Sequence, residues 1–481
     1  MSLRAKAVRS VRWTALSTAG SFGSRFVIML AAAHVLPPFD IGLYAIINLV
    51  LGFASIFAVG GLTQGIIAKQ DVSAGQLSSL FWLNLLFNLG VGVIVALSAP
   101  ALAIYYGQPR LVGLLLVAAL IFLINPLGQI SQALLKMDLR FPTLGRIELA
   151  ANLLNCVSAV GLLYGGCGVY SLIASQLAAT ALRAILARLC CHELPPIRLI
   201  FRYEEIRSIV RFGVYQTGTG LVNFIGNRVD QVLIGALLGP QALGYYSLAW
   251  TLVVDPVYRI SPIITTVAFP VFARRQHDRA ALVRGFHLAT KLLTTAIAPL
   301  LLGFAAIAPT VIPLFLGERW TPSVRLVELL SIVAIARMIN NPVGSLILAI
   351  NRADKAFYWT LSYCIVHTPI YAVVLAVGGL VPATAFLCVT NVAAVLLVYL
   401  YMLRPTLGLM FMDHMMTFLP AVGLALAMAV AVRSMAMLPI GSSVALVGTQ
   451  VALGAAIYGG ATLLLRRGDV RQFARLMTTS G

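Results

Sequence analysis

The sequence predicts an all-α polytopic membrane protein of about 14 transmembrane helices. Two six-helix lobes are expected, related by a pseudo-two-fold axis along the membrane normal, with a C-terminal helix pair added to them. Three observations lead there. Of 481 residues, 60% are hydrophobic and only 10% are charged, whereas a soluble domain carries about 25% charge. Mean hydropathy is +0.95. Apolar runs long enough to cross a bilayer, about 20 residues each, follow one another along the whole chain. Finally, motifs of the first half return in the second.

The first run, 12–36, follows a basic start with Arg4, Lys6, Arg9 and Arg12. It is too long for a signal-peptide core and no small-residue cleavage site closes it, so it reads as a retained first span. Pro37-Pro38 ends it. The next runs are 42–67, 77–104 and 111–135, the last two parted by Gly107-Gln108-Pro109. Runs 147–165 and 168–189 flank Gly165-Gly166, and runs 209–238 and 243–271 flank Gly239-Pro240. Then come 286–316, 323–350, 356–378, 382–403, 415–437 and 442–465, with Gly378-Gly379 as a further turn. Glycine and proline punctuate helices because one permits and the other imposes special backbone angles.

The formal charge is +19, from 34 Lys and Arg against 15 Asp and Glu. In a soluble protein that excess points to nucleic acid. Here it falls on alternate loops. With the N-terminus inside, 25 of the 34 cations lie on the cytoplasmic side and only Arg110, Arg319 and Arg433 outside. Such asymmetry fixes orientation and suits anionic lipid. An even number of spans with both termini cytoplasmic is therefore expected, with no nucleic-acid partner.

The one sizeable linker, His192 to Arg211, holds Pro195-Pro196, several arginines and an apolar stripe of Leu199, Ile200, Ile206 and Ile209. It reads either as an amphipathic helix on the membrane surface or as a solvated charged connection. The domain reading is 1–190 for the N-lobe, 191–208 for the linker, 209–403 for the C-lobe and 404–481 for the last two spans with a basic tail. The six cysteines make no disulfide framework. Cys190-Cys191-His192-Glu193 lacks zinc spacing, and no metal is expected.

The internal repeat is carried by three matches. Ile41-Gly42-Leu43-Tyr44 resembles Leu243-Gly244-Tyr245-Tyr246 at an offset of 202. Upstream the offset is 203, which sets Gly23-Ser24-Arg25 on Gly226-Asn227-Arg228 and Pro37 on Pro240. Asn125-Pro126-Leu127-Gly128 resembles Asn341-Pro342-Val343-Gly344 at an offset of 216. The unit is six helices, so both copies keep one orientation.

Charge at the bilayer centre costs about 2.5–3.5 kcal/mol on insertion scales and marks a polar cavity or a partner. Arg25, Arg228, Arg259 and Arg337 lie within spans, as do the acids Asp230, Asp255 and Glu328. Asp255 with Arg259, and Arg325 with Glu328, sit at spacings that neutralise on one helix. Arg25, Arg228 and Arg337 have no such local partner. Paired guanidiniums suit the bidentate acceptors of a pyrophosphate; the other reading is pairing to helix carbonyls or to Asp230. Asn223, Asn227 and Gln231 flank Arg228, and Asn340 and Asn341 follow Arg337. These amides suit sugar hydroxyls or helix-to-helix bonds equally. Asp230, Asp255 and Glu328 are the candidates for ion coupling. No phosphate-binding loop, zinc-protease motif or nucleophile elbow occurs, so neither a cofactor nor enzymatic chemistry is expected.

With these features the chain resembles the multidrug/oligosaccharidyl-lipid/polysaccharide (MOP) exporter superfamily. Asp230-Gln231-Val232-Leu233-Ile234-Gly235 and Leu243-Gly244-Tyr245-Tyr246-Ser247-Leu248 resemble its polysaccharide branch, the Wzx-type flippases of colanic acid, succinoglycan and similar exopolysaccharides. The resemblance implies a monomer in the bacterial inner membrane. It implies oligosaccharide repeat units on undecaprenyl pyrophosphate as cargo, moved from the cytoplasmic to the periplasmic leaflet. It further implies rocking lobes, cation coupling, membrane lipids as surroundings, and polysaccharide polymerase and chain-length proteins as neighbours in the pathway. Relatives carry cavity arginines on helices 1 and 8, where Arg25 and Arg259 fall; the helix 2 arginine of some relatives is missing here. In lipid-II flippases helices 13 and 14 form the lipid-tail groove, and the same role is implied for the last two spans here. The competing readings are a cation-coupled multidrug exporter, a lipid-II flippase, and a scaffold or polymerase. An excess of basic over acidic residues in the spans disfavours the drug exporter, and short outside loops disfavour the polymerase.

Overall fold

The computed structural model describes residues 3–59, 65–66, 69, 72–191, 197–274, 278–350, 352–437 and 442–465. Their side chains are described except at 3–12, 14, 15, 59, 259–274, 353, 464 and 465. Among the described residues all regular structure is helical. In order come α1 (Leu3–Val35), α2 (Pro38–Val59), α3 (Ala74–Tyr105), α4 (Arg110–Ala119), α5 (Ile121–Ile124), α6 (Pro126–Met137), α7 (Phe141–Tyr164) and α8 (Tyr170–Cys190). Then follow α9 (Tyr203–Arg274), α10 (Arg279–Leu316), α11 (Thr321–Ala349), α12 (Ala353–Ser362), α13 (Thr368–Gly378), α14 (Leu380–Val398), α15 (Phe411–Ser434) and α16 (Ser443–Leu465).

Among the described residues eleven helices are long and apolar enough to cross a membrane, or 12 with the bent pair Arg110–Ile124 and Pro126–Met137 taken as one span. The chain is an integral membrane protein. The count is compatible with the expected 14, for two reasons. The long α9 covers two expected spans and breaks at Gly239, whose φ of 80° and ψ of −179° only glycine adopts easily. The 29-residue α11 coincides with a further expected run, 323–350, and is not among the eleven. The 44° bend before Pro126 has a local cause. Proline has no N–H to give and its ring displaces the carbonyl four residues back.

Two compact units divide the chain, Met1–Gly244 and Tyr245–Gly481. In the first, α1 packs on α7, α7 on α8, and α3 on both α2 and α4. Asp40, in the first turn of α2, accepts a 3.0 Å ion pair from Arg110 at the start of α4. Ser73 caps α3 in a reciprocal box with Gln76, which satisfies two amide donors the helix start leaves open. Ile66, Leu80, Ile130, Leu134, Ile147, Ile206 and Ile209 close one end of this unit as an apolar cluster.

The linker departs from a separate surface helix. Ile197–Arg202 is non-helical and is tied to α3: Trp82 Nε1 donates to the Arg198 carbonyl at 3.0 Å, and Arg202 N donates to Ser79 Oγ at 3.0 Å. The expected stripe is split. Leu199 is exposed, whereas Ile206 and Ile209 are buried in the first turns of α9. Residues 192–196, with the His192-Glu193 pair, lie outside the described residues.

The two repeated turns meet inside the first unit. A Cβ on Gly42 would collide with the carbonyl oxygen of Pro240, and a Cβ on Gly244 with that of Pro38. Gly42 and Gly244 are repeat mates, and Pro240 answers the Pro37-Pro38 turn. The contact is thus reciprocal under exchange of the two copies, as in an isologous interface.

In the second unit α10 packs on α11 and α15, α11 on α14, and α15 on α16. Tyr458 Oη of α16 donates to the Thr295 carbonyl of α10 at 2.9 Å. One end is closed by Leu282, Phe286, Leu346, Ile347, Tyr399 and Leu403. Leu346 is the repeat mate of Ile130, so each copy uses this position in an apolar cluster.

Candidate functional site: arginines within the membrane helices

Arg25 lies on α1, exposed on the face that the protein leaves uncovered. Among the described residues it makes no hydrogen bond and no ion pair; its charge reaches only the Tyr44 phenol of α2. Arg228, on the first half of α9, is half-buried and its Nη1 donates to Gln231 Oε1 at 3.1 Å. Gln231 and Asp230 are buried beside it, 4% exposed each. Asn227 Nδ2 donates to the Asn223 carbonyl at 2.8 Å, and both amides stand exposed on the helix surface. The Arg228 guanidinium thus has Gln231 as a hydrogen-bond partner on its own helix.

Arg337, given no local partner by its sequence, is held by distant ones. Its Nε donates to Asn391 Oδ1 of α14 at 3.1 Å and its Nη1 to the Tyr258 hydroxyl at 2.7 Å. The guanidinium lies over the Trp250 ring, 5.2 Å from its centroid. Trp250 Nε1 in turn donates to Asp255 Oδ1 at 3.1 Å. A cation stacked on indole and held by two hydrogen bonds has few orientations left. Asp255 is thus engaged by an indole, while the side chain of Arg259 lies outside the described residues, and with it the expected Asp255–Arg259 pair. Asn340 and Asn341 are half-buried and make no side-chain hydrogen bond among the described residues.

Arg325 and Glu328 pair as expected, at 2.9 Å, and Glu328 also receives Arg433 of α15. Both arginines are about half exposed or more, so the cluster is a modest tie. Glu328→Gln is expected to lower the thermal midpoint by about 1–3 °C, the worth of an exposed ion pair, in a melting assay of the purified protein. Glu148 of α7 is bridged by Arg183 of α8 at 3.1 Å.

Sequence reasoning missed Trp250, Tyr258, Asn391 and His367. The last is buried on a π-helical turn, Tyr363–His367, stacked on Tyr363 and bonded to Thr390 Oγ1 at 3.1 Å. An amide alone in an apolar span, as Asn391 is, was the available signal.

Comparison with known proteins gives this geometry its context. A family model described as polysaccharide biosynthesis protein matches residues 32–325. The chain belongs to that family. Among family relatives, the teichuronic acid biosynthesis protein TuaB of Bacillus subtilis is 34% identical over 307 residues, 64% of each chain. The match thus spans just under two thirds of TuaB. The lipopolysaccharide biosynthesis protein WzxC of Escherichia coli is 26% identical over 417 residues, 87% of this chain and 85% of its own. Among solved structures, the lipid II flippase MurJ in an inward closed conformation superposes with a TM-score of 0.75 at 13% identity, covering 96% of this chain and 100% of MurJ. At that identity the likeness concerns the fold. The polysaccharide branch, expected from the Asp230–Gly235 stretch, agrees with the family model.

Proposed function

We propose that the chain is a flippase for undecaprenyl-pyrophosphate-linked oligosaccharide repeat units, carrying them from the cytoplasmic to the periplasmic leaflet for exopolysaccharide or O-antigen synthesis. The observation that carries this reading is Arg25: a guanidinium within a membrane helix, exposed and without ion pair or hydrogen bond among the described residues. A cation so placed is stabilised when an anion comes to it. A pyrophosphate also needs such a cation, because a bare dianion does not enter hydrocarbon. Arg228 shares the unit with Arg25, and Arg337, fixed on its indole plate, offers a pre-oriented phosphate donor in the other; Arg259 completes the set. Asn223, Asn227, Gln231, Asn340 and Asn341 are the amides available to sugar hydroxyls. Names of family relatives, TuaB and WzxC, support a polysaccharide substrate.

On this reading the lobes 1–190 and 209–403 rock about the linker 191–208, residues 404–481 ride with the second lobe, and substrate binding biases two packings of similar energy. The chain works as a monomer in the inner membrane with both termini cytoplasmic, as the placement of its cations supports. Polymerase and chain-length proteins take over the product outside. Asp230, Asp255 and Glu328 are the groups offered to a coupling ion.

Deletion of the gene tests the function. Loss of surface polymer with a build-up of intact lipid-linked repeat units in the cytoplasmic leaflet is the expected result. An unchanged pool of both would overturn it. Arg337→Lys is expected to slow transport about tenfold, since lysine keeps the charge but loses the planar two-donor fork, a difference of about 1–2 kcal/mol. Membrane abundance should not change. Transport into inverted vesicles with a fluorescent lipid-linked sugar reads this.

A further inference from the structure

Inside the first unit a groove of 1090 Å3 opens between α2, α3 and the first half of α9. Its walls are almost wholly apolar. The hydroxyl of Ser98, one of its few polar atoms, is already spent on the Val95 carbonyl of its own helix. A smaller compartment of 230 Å3 shares Phe57, Leu83 and Phe87 with it and continues along α9 to Val210.

We propose that this groove holds the polyprenyl tail of the substrate while the headgroup crosses. The inference rests on the flippase reading and adds the place of the tail to it. It departs from the expectation that the last two spans do this work. Those helices, α15 and α16, close on one another, with Gly454 against Val432 and Met428.

Length is the first argument for the occupant. Groove residues run on α3 from Leu83 to Tyr106 and on α9 from Val210 to Val232. At 1.5 Å per residue both paths measure roughly 33–35 Å. The hydrocarbon core is about 30 Å thick, so one phospholipid chain fills about half of that. A groove crossing both leaflets fits a chain longer than either leaflet, which a long isoprenoid is.

Charge is the second argument. Phe224 and Val232 line the groove, and Arg228 lies between them at four-residue spacing, on the same helical face. Its guanidinium is hydrogen-bonded to Gln231 of the same helix, 3.1 Å away. A cation on the helical face that lines an apolar trough matches an amphiphile with an anionic head and a long neutral tail. The trough is lined almost wholly by apolar side chains, with the Ser98 and Tyr106 hydroxyls its few polar groups, so it suits a hydrocarbon tail far better than a glycan.

The test uses the full-length protein in nanodiscs, with undecaprenyl phosphate as probe. Benzoylphenylalanine is placed at Phe87, in the groove, and in a second sample at Leu300, an exposed site on α10. Photolysis is expected to give probe adducts at position 87 about tenfold above those at 300. Gly90 lines the groove and has nothing within 4 Å of a Cβ built there. Gly90→Trp therefore has open space at its Cβ and directs an indole into the trough; it should cut the adduct at 87 about tenfold, with an unchanged melting midpoint as the control for folding. Farnesyl phosphate, too short for the trough, should compete poorly. Equal labelling at 87 and 300, phospholipid adducts alone at 87, or full binding of the probe by the tryptophan variant would overturn the proposal. Tail-length-dependent labelling confined to α15 or α16 would sink the groove and leave the transport reading standing. Binding of undecaprenyl phosphate no tighter than dioleoyl phosphatidic acid would count against both.

Discussion

Arg25→Ala and Arg228→Ala should each lower translocation by about ten- to a hundredfold at unchanged membrane abundance. That range corresponds to the roughly 1.5–3 kcal/mol of a charge-assisted hydrogen bond to an ionised group. Arg25 should be the cleaner case, because it has nothing else to lose: no hydrogen bond or ion pair holds it among the described residues. Its removal should leave the melting midpoint unchanged or raise it, since a costly charge leaves the bilayer. Arg228→Ala frees Gln231, buried at 4% exposure, and should cost some stability as well. Cells carrying either variant should accumulate lipid-linked repeat units in the cytoplasmic leaflet. A large drop in melting midpoint with normal transport by the surviving protein would make the arginines structural glue instead.

The second large effect is expected at the reciprocal joint. Gly42→Ala and Gly244→Ala each push a methyl group into a backbone carbonyl, that of Pro240 and that of Pro38. Backbone cannot yield as a flexible side chain does, so each should cost about 1–3 kcal/mol or more through overpacking. Gly23→Ala is the control: it lies on α1 with nothing within 4 Å of the added carbon and should gain about 1 kcal/mol of helix propensity. Thermal midpoints of the three purified variants decide the matter. Parity between Gly42→Ala and Gly23→Ala would mean that the turns do not need their close approach.

Much of this molecule was legible in its residues. The apolar runs and their glycine and proline stops placed the helices, since a bilayer demands that backbone groups be satisfied within each span. Matching turns at Gly42 and Gly244 announced the repeat, though not that the copies would press on each other. What escaped was whatever depends on distant parts of the chain. The plate under Arg337 is assembled from Trp250, Tyr258 and Asn391, which no local spacing connects. Likewise the stripe from Leu83 to Leu102 is an ordinary helical pattern. That it meets a trough instead of a neighbour is a property of packing. The apolar stripe of the linker allowed either a surface helix or a solvated connection; the hydroxyls of Ser78 and Ser79 accept from the backbone amides of Arg198 and Arg202, and residues 197–202 are non-helical.

The Gly42–Pro240 and Gly244–Pro38 contacts have a consequence for timing. Each copy supplies one knob and one socket, so the joint is a clasp with two equal teeth. Neither tooth can open far while the other stays engaged, because both sit on the same pair of turns. A motion that separates these turns therefore releases both teeth together, and the barrier contains two contacts rather than one. On the flippase reading proposed above, such a clasp would favour opening in one step over gradual sliding. A shift of either turn would disturb both teeth at once, whereas a single added methyl group blocks only the tooth that carries it.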